Sequence, residues 1–362
     1  MMAAEAVVID TGSYLTKAGF AGEDVPRAVF SSTVGSTPAI KDASGNSAGP
    51  SLRYPIERGI VVDWEALETL WRHMFERELS IIPEEHPVLI ADRNLEFREG
   101  DREKTIEIMF ETFHVPAFYV ALQPLLSLYA TGKTTGVVLE SGDGITHSVP
   151  IYEGYPLSHA VCRLKLAGRD LTDYLVLLLQ ARGYQLSTTT ERETTRGIKE
   201  AMCYVVENFE KEMESSVSDP TLVERTYELP DGQVITLGNE CYRVAETLFQ
   251  PAFLGSEDEG IHMLLLDSIA KCDVCIRRDM YMNVVISGGN TLYPGITKRL
   301  QAELKSLVHP MQTIKIADPP NRLHSPWIGG SILGSLSVFG QIWIPQKDYH
   351  ETGPSIVHQR CF

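Results

Sequence analysis

The sequence predicts an α/β fold made of two similar halves with a nucleotide cleft between them. Two stretches indicate the duplication. In residues 7–13 and again in residues 137–144, an apolar run is followed by an acid and then by small residues and glycine. Such apolar runs indicate buried strands, and glycines allow tight turns close to a ligand. Strands and helices also alternate along both halves, as in α/β proteins. For either stretch alone, the alternative is a buried strand followed by an ordinary turn.

The acids that end the two runs, Asp10 and Glu140, suggest what the turns bind. Backbone N–H groups in glycine turns form nests that attract anions such as phosphate. A carboxylate repels phosphate, so the pattern makes sense when a hydrated divalent cation lies between them. Two such turns facing each other would hold the phosphate tail of a nucleotide from both sides.

Size and charge limit the function classes. The chain has 362 residues, enough for two or more domains, and its 43% hydrophobic and 22% charged content is typical of a soluble globular protein. The net charge of -16 argues against direct nucleic-acid binding and against docking on an acidic membrane, and it permits basic protein partners. We expect no signal peptide, because Glu5 and Asp10 interrupt the first apolar stretch, and no membrane insertion, because no apolar run is long enough to span a bilayer.

In the first half, the pattern predicts a hairpin return at 18–22 and strands at 87–90 and 117–120. Helices are expected at 64–79, with Asp63 as the N-cap, at 102–113 and at 123–130. Residues 36–51 are rich in Ser, Gly, Ala and Pro, which is typical of a flexible surface segment.

In the second half, we expect Asp170 to cap an apolar helix that ends before Gly183, followed by a charged helix over 190–204. Residues 227–235 predict a hairpin around a Pro-Asp-Gly turn, and residues 283–286 predict a strand. Pro294 is expected to open a further helix, and residues 327–331 to lead into the last apolar helix.

Cys272 and Cys275 form a single CxxC within 268–276, a stretch whose pattern predicts one helix. There is no second CxxC, so a metal or redox role is the minor alternative to a structural one. The six cysteines are scattered, which is typical of a reducing compartment.

Motifs along almost the whole chain, from 7 to 362, resemble those of the actin family. They are the phosphate-type turns at 10–13 and 141–147, together with residues 54–57, 166–174, 229–232, 287–289, 327–333 and 353–358. The resemblance implies the duplicated actin/Hsp70/hexokinase-like (ribonuclease H-like) fold. It places the first lobe at 1–131 plus 325–362, with an outer subdomain at about 32–54. The second lobe would be 132–324, with an outer subdomain at about 167–256.

The resemblance also implies a site for ATP or ADP with Mg²⁺ or Ca²⁺. Asp10, Gln123 and Glu140 would surround the hydrated cation; Gln123 would orient the attacking water, with Glu140 and His147 as its catalytic neighbours. Phosphate and nucleoside contacts would come from Asp10, Thr11, Gly12, Ser13, Tyr14, Lys17, Ser141, Gly142, Asp143, Gly144, Gly168, Arg196, Lys199, Glu200, Gly288, Gly289 and Tyr293. Without the resemblance, a solvated helix face is the simpler interpretation of Arg196, Lys199 and Glu200.

The sequence departs from the family pattern near this site. Compared with the family's usual residues, the changes are Thr11 for asparagine, Tyr14 for glycine, Arg58 for histidine, Glu140 for aspartate and Leu323 for lysine, with Pro124 after Gln123. Glutamate is one methylene longer than aspartate, a displacement of roughly an ångström that matters for catalysis. We therefore expect ATP binding to be kept and hydrolysis, at most slow, to be altered.

The resemblance implies two surfaces. An apolar groove for helical segments of actin-binding proteins would be lined by Tyr129, Ile332, Leu333, Leu336, Val338 and Ile342; the alternative is that these residues complete the core. The segment 36–53 is shorter than the family's subunit-inserting tip, and the region 253–260, which resembles the plug between filament strands, is acidic. Like charges brought together oppose assembly.

Two hypotheses stay open. The first is a cytoskeletal protein of the cytoplasm that binds Mg-ATP and forms filaments or joins those of conventional actin. The second is a non-polymerising actin-related protein that serves as a nucleotide-binding scaffold subunit, cytoskeletal or nuclear. A small-molecule kinase would need a further catalytic acid, and an Hsp70-like chaperone would need a further peptide-binding domain.

Overall fold

A computed structural model describes residues 5–35, 52–92, 99–184, 188–229 and 232–361. The predicted flexible segment, residues 36–51, lies outside the described residues. Of the tip region predicted at 36–53, only residues 52 and 53 are described. Pro230 and Asp231 of the predicted turn also lie outside the described residues. Described residues form two compact units: the first within 1–134, 151–158 and 324–362, the second within 135–150 and 159–323. The lobe limits predicted from the sequence remain a prediction.

The strands, in chain order, are β1 Val7–Thr11, β2 Leu15–Phe20, β3 Ala28–Ser31, β4 Val34–Gly35, β5 Leu52–Arg53, β6 Ile56–Glu57, β7 Ile60–Val61, β8 Val88–Asp92, β9 Ala117–Leu122, β10 Gly136–Ser141, β11 Thr146–Tyr152, β12 Tyr155–Pro156, β13 Cys162–Leu164, β14 Arg225–Glu228, β15 Val234–Leu237, β16 Val284–Ser287, β17 Ile316–Ala317 and β18 Ile344–Pro345.

The α-helices are α1 Trp64–His73, α2 Glu99–Glu107, α3 Gln123–Tyr129, α4 Gly168–Ala181, α5 Thr189–Met202, α6 Phe209–Ser218, α7 Glu240–Glu246, α8 Ile261–Ala270, α9 Val274–Met282, α10 Ile296–Leu307, α11 Ser325–Ser335, α12 Gln346–Thr352 and α13 Ile356–Arg360. One turn of π-helix extends α1 (Met74–Glu78) and another extends α2 (Ile108–Thr112). None of the helices in the described part of the chain combines the length and the apolar composition needed to cross a bilayer.

The two main sheets share one strand order. In the first unit the order is β18-β9-β8-β1-β2-β3, with β1 parallel to β8 and antiparallel to β2. In the second sheet β11, β10, β16 and β17 follow in that order, with β10 parallel to β16, and both β12 and β13 pair with β11. Each acid-ending strand therefore has its hairpin partner on one side and parallel strands on the other. This confirms the α/β class and the duplication.

Local capping confirms several predicted elements. Asp63 accepts a hydrogen bond from the Ala66 N–H and begins α1, as expected from an N-cap aspartate. Strands β14 and β15 form the predicted hairpin. Pro124 lies at the second position of α3, where a missing N–H costs no helical hydrogen bond.

Four predicted boundaries were wrong. Asp170 is the third residue of α4 and accepts from the N–H of the cap residue Ala167, because the helix starts at Gly168. The helix expected at 102–113 starts at Glu99, and the one expected from Pro294 starts at Ile296. Residues 327–331 lie inside α11 rather than before it.

The CxxC stretch is also not one helix: α8 ends at Ala270, and Asp273 caps α9 by accepting from the Cys275 N–H. An aspartate at such a position favours a new helix start over continuation.

Close packing explains the paired glycines of α11. A Cβ on Gly329 would lie 1.8 Å from the carbonyl oxygen of Leu126 in α3, and one on Gly330 would lie 2.7 Å from Val8. The Trp327 Nε1 donates to the Val8 carbonyl at 3.0 Å. Helix α11 therefore rests directly on β1, whose C-terminal end carries Asp10.

Candidate functional site

In the first unit, a buried polar cluster forms around Asp10 at the end of β1. The Asp10 side chain is 1% exposed. Lys17, its partner across the β1–β2 hairpin, donates from Nζ to Oδ2 at 2.8 Å. Gln123, the first residue of α3, donates from Nε2 to Oδ1 at 2.6 Å. The three predicted residues are thus brought together, with each carboxylate oxygen already accepting one hydrogen bond.

The turn after Asp10 is held by its own chain. The Gly12 N–H donates to the Leu15 carbonyl at 2.8 Å, which closes the hairpin. Thr11 Oγ1 accepts from Trp71 Nε1 at 3.2 Å, so the residue that replaces the family's asparagine is tied to α1. Ser13 is buried and Tyr14 is half-buried, which gives the bulkier side chain a place within the turn.

The second unit holds the corresponding acid, Glu140, near the end of β10. Its Oε2 lies 3.2 Å from Nε2 of His147 in β11, and both residues are buried. A carboxylate only accepts, so Nε2 carries the proton. Nδ1 of His147 is buried and has no hydrogen-bond partner among the described residues.

Asp143, in the turn after β10, binds two arginines. Arg196 of α5 donates from Nη1 to its Oδ1, and Arg169 of α4 lies 3.7 Å from its Oδ2. Arg196 is 2% exposed, so the solvated-face interpretation is wrong for this residue. Glu193 of α5 also lies 3.2 Å from Arg196 Nε, so the two guanidinium groups face two carboxylates and the charges of this cluster balance.

Lys199, one turn further along α5, is 3% exposed, so the solvated-face interpretation is wrong here too. Its Nζ donates to the Gly168 carbonyl at 2.7 Å and to Thr172 Oγ1 at 2.9 Å. Burial, with a smaller contribution from the Arg196 charge, lowers the pKa of Lys199 to about 8. Glu200, in contrast, is exposed.

Tyr293 is the other predicted nucleoside residue with a buried polar group. Its hydroxyl has no hydrogen-bond partner among the described residues, and burial raises its pKa well above the usual value. A buried hydroxyl without a partner costs free energy, so a ligand atom at this position would relieve that cost.

The glycines predicted to line the site differ in whether the fold leaves room for a side chain. A Cβ on Gly288, whose φ is +93°, would lie 2.3 Å from the Ser141 carbonyl oxygen, and one on Gly168 would lie 2.9 Å from Asn290. The fold itself excludes side chains there. A Cβ on Gly142 would meet only the Ile145 carbonyl oxygen at 3.9 Å, and one on Gly289 only Leu323 at 3.7 Å. At these two positions the fold leaves room for a methyl group, so the backbone is open to close approach by a ligand.

The donors present fit a hydrated divalent cation. In the first unit Asp10 supplies carboxylate oxygens and Gln123 an amide, and in the second unit Glu140 supplies a carboxylate; Mg²⁺ accepts such ligands directly or through water. Among the described residues, no group of three or more His, Cys, Asp or Glu side chains forms a cage of direct metal ligands. A cation held by the donors of either unit would therefore keep several waters or phosphate oxygens.

Sequence reasoning missed four residues near these clusters. Asn290 donates from Nδ2 to Ser141 Oγ at 3.2 Å and to the Gly142 carbonyl at 2.9 Å. Trp71 donates to Thr11, and Arg169 lies 3.7 Å from Asp143. The pKa of His324 is lowered by burial first and then by the Lys17 charge. Asn290 directly follows the glycine pair at a strand end, a signal that could have identified it.

The predicted groove and acidic region are partly exposed. Ile332, Leu336, Val338 and Ile342 are exposed apolar residues, while Tyr129 and Leu333 are half-buried. The alternative that these residues only complete the core does not fit the exposed four. In the second unit, Glu257, Asp258 and Glu259 are all exposed.

Comparison with known families gives a match that covers the whole chain. A family model described as Actin matches residues 1–362.

Proposed function

The chain belongs to the actin family, and from that premise we propose that it binds Mg-ATP, hydrolyses it slowly and forms or joins actin-type filaments. Membership of the family supports an actin-like nucleotide-binding protein. The buried acid that ends the corresponding strand of each sheet, Asp10 in β1 and Glu140 in β10, is the observation that most supports nucleotide binding. Besides the hydrogen bonds from Lys17, Gln123 and His147, these carboxylates keep lone pairs that can accept a cation or its waters.

In this proposal each cluster has a stated task. Lys17 places a point charge beside the phosphates, and the N–H groups of the 11–14 and 141–144 turns bind phosphate oxygens. Arg196, Lys199, Glu200 and Tyr293 contact the nucleoside, with Gly288 and Gly289 beneath it. The divalent cation, when bound, neutralises phosphate charge.

The residues proposed for hydrolysis act by positioning. Gln123 is fixed by its 2.6 Å hydrogen bond to Asp10, so its amide oxygen is held in one direction and can orient a water. Glu140 and His147 are fixed by each other at 3.2 Å. Positioning and charge neutralisation without a strong general base give slow turnover, so the protein is at most a slow ATPase.

Calorimetry with Mg-ATP tests nucleotide binding, and Gly142→Ala is the informative variant. The fold leaves room for this methyl, so we expect an unchanged melting temperature and an affinity lower by roughly tenfold or more, because the methyl occupies ligand space. Gly340→Ala is the matched control, since no atom lies within 4 Å of its added Cβ. No heat of binding in the unaltered protein would overturn the proposal.

A second candidate function is supported by the exposed acids Glu257, Asp258 and Glu259. Like charges in a region that resembles the interstrand plug oppose self-assembly. In this alternative the protein keeps its nucleotide, stays monomeric and acts as a scaffold subunit of a cytoskeletal or nuclear complex. Sedimentation in Mg-ATP separates the two functions.

For partners, we propose actin-binding proteins that lay an amphipathic helix on the exposed face of Ile332, Leu336 and Ile342. Copies of this chain or conventional actin are the proposed filament partners. The proposed location is the cytoplasm and its cytoskeleton, with the nucleus open under the alternative.

A further inference from the structure

In the second unit, Cys162 and Lys271 form a thiol–ammonium contact that the nucleotide site does not use. Cys162 begins β13, and Lys271 directly follows α8. Lys271 Nζ lies 3.1 Å from Cys162 Sγ. Cys162 is buried, with 8% of its surface exposed, and Lys271, which contacts its sulfur, is exposed.

The contact favours a reactive sulfur. The pKa of Lys271 is raised, chiefly by its hydrogen bond to Cys162, so this side chain stays charged at neutral pH. An adjacent ammonium stabilises a thiolate, and the thiolate is the nucleophilic form of cysteine.

The other five cysteines lack this arrangement. Burial raises the pKa of Cys203 above its usual range, that of Cys241 to about 11 and that of Cys361 to about 12. Burial also raises the pKa of Cys272. Cys275 is exposed, but its hydrogen bond to Asp273 raises its pKa. If exposure alone decided reactivity, Cys275 would be the most reactive cysteine. The charge next to its sulfur makes Cys162 the expected one instead.

A second thiol lies beside the pair. Cys272 follows Lys271 in the chain, and its Sγ donates to the Ser268 carbonyl at 3.4 Å. Ser268 in turn donates from Oγ to the Ala160 carbonyl at 2.8 Å, two residues before Cys162. The end of α8 is therefore fixed against the start of β13, and the charge of Cys162 contributes to the raised pKa of Cys272.

We propose that Cys162 is a peroxide-reactive thiol whose oxidised form is captured by Cys272 as a disulfide. The Cys162 thiolate attacks hydrogen peroxide, an S–O bond forms and the O–O bond breaks. The departing hydroxide takes a proton from the Lys271 ammonium and leaves as water. The Cys272 sulfur then attacks the sulfenic acid, forms the S–S bond and releases a second water, so peroxide is reduced and the two thiols are oxidised.

Mass spectrometry of the full chain tests the first step. The protein is treated with a few equivalents of hydrogen peroxide, sulfenic acid is trapped with a 1,3-dione, and free thiols are alkylated. We expect Cys162 to be oxidised first. Lys271→Met should slow its oxidation roughly tenfold, because the ammonium group 3.1 Å from the sulfur is lost. Lys271→Arg should keep most of the rate.

The matched control is Lys305→Met, an exposed lysine in α10, and melting temperatures verify that every variant is folded. Faster oxidation of Cys275, or a Cys162 rate unchanged by Lys271→Met, overturns the activation by Lys271.

Capture is tested with Cys272→Ser, in which trapped sulfenic acid at Cys162 should accumulate and the disulfide should vanish. Equal trapping in the unaltered protein, or a disulfide to another cysteine, overturns the capture step.

Discussion

Lys199 is a charged group that the fold keeps out of water. Its two hydrogen bonds, to the Gly168 carbonyl and to Thr172, satisfy the ammonium only in part, and Arg196 lies on the same helix. Burial lowers the pKa of this cation because the charged form loses hydration, and the charges of Asp143 and Glu200 offset that loss only in part. In the nucleotide-binding proposal, the phosphate or base of a ligand supplies the missing partner.

We predict that the buried Lys199 makes stability depend on pH. Its pKa is lowered from 10.5 unfolded to about 8 folded, so between these values the unfolded state binds more protons. The free energy of unfolding should therefore rise from pH 8 to pH 10.5, by about 3 kcal/mol from this group. Lys199→Met should lack this rise.

Urea unfolding of the nucleotide-free protein measures this effect. Circular dichroism is the appropriate signal, because all four tryptophans lie in the first unit and Lys199 lies in the second. Parallel pH profiles for the variant and the unaltered protein would contradict the prediction.

The length of the Glu140 side chain gives a second prediction. Glu140→Asp withdraws the carboxylate from His147 by roughly an ångström, and misplacement of that size lowers turnover by about tenfold to a hundredfold. ATP affinity should change much less, since in the proposed site the phosphates are bound by backbone N–H groups of the turns. A phosphate-release assay beside calorimetry separates the two effects. Glu228→Asp on exposed β14 is the control, and unchanged turnover for Glu140→Asp would refute the assigned role.

At the scale of whole elements, a buried ion pair joins α10 to α7. Arg299 donates from Nη2 to Oε1 of Glu246 at 2.8 Å and from Nη1 to Oε2 at 3.0 Å, and Glu246 is 0% exposed. Burial raises the pKa of Glu246, and the hydrogen bond from Arg299 opposes that rise. The guanidinium also lies 4.9 Å from the Phe249 ring centroid.

We predict that Arg299→Met destabilises the second unit by roughly 3–5 kcal/mol, because it leaves a buried carboxylate unpaired. The loss should be smaller at pH 5 than at pH 8, since an acid with a raised folded pKa loses stability as pH rises. Lys298→Met, whose 3.9 Å contact with Glu207 is exposed, should cost about 1 kcal/mol or less. Urea midpoints of the two variants check both expectations, and equal midpoints would count against them.

Helix α11 combines buried glycines with an exposed apolar side chain. Gly329 and Gly330 pack against α3 and β1, while Ile332 is 43% exposed. We predict that Ile332→Asp leaves the melting temperature unchanged and abolishes binding of amphipathic helical peptides taken from actin-binding proteins, because a charge in an apolar groove must be desolvated. Fluorescence anisotropy measures the binding, with Val25→Asp as the exposed apolar control. Unchanged affinity would remove the groove from the proposal.

At the scale of the whole molecule, charge decides between the two candidate functions. The net charge is -16, and three exposed acids are consecutive at 257–259. Repulsion between copies is screened by salt, with a Debye length of about 10 Å at 0.1 M. Assembly should therefore be more favourable in salt than at low ionic strength.

We predict that the protein sediments as filaments in Mg-ATP and physiological salt, and that the combined variant E257Q/D258N/E259Q assembles at lower protein concentration, because it removes three negative charges. High-speed sedimentation with negative-stain imaging is the measurement. A monodisperse supernatant with ATP still bound would favour the scaffold function, and the variant would show whether these acids are the cause.

Much of the fold could be predicted because it depends on neighbours in sequence. The apolar runs that became β1 and β10, the cap at Asp63 and the hairpin of β14 and β15 all follow from local pattern. The acids at the two strand ends were found the same way, since each directly follows its run. Boundaries such as the break between α8 and α9 were less predictable, because one aspartate outweighed an otherwise helical pattern.

The sequence by itself determined the fold class, the duplication, the family and the two acid-bearing turns. Only the tertiary structure decided which charges are buried: Arg196 and Lys199 contact Asp143 and the Gly168 carbonyl, while Glu200 on the same helix is exposed. It also brought Lys271 to Cys162 across 109 residues. Such contacts join distant segments, and a charged residue has the same local pattern whether its partner is water or a buried carboxylate.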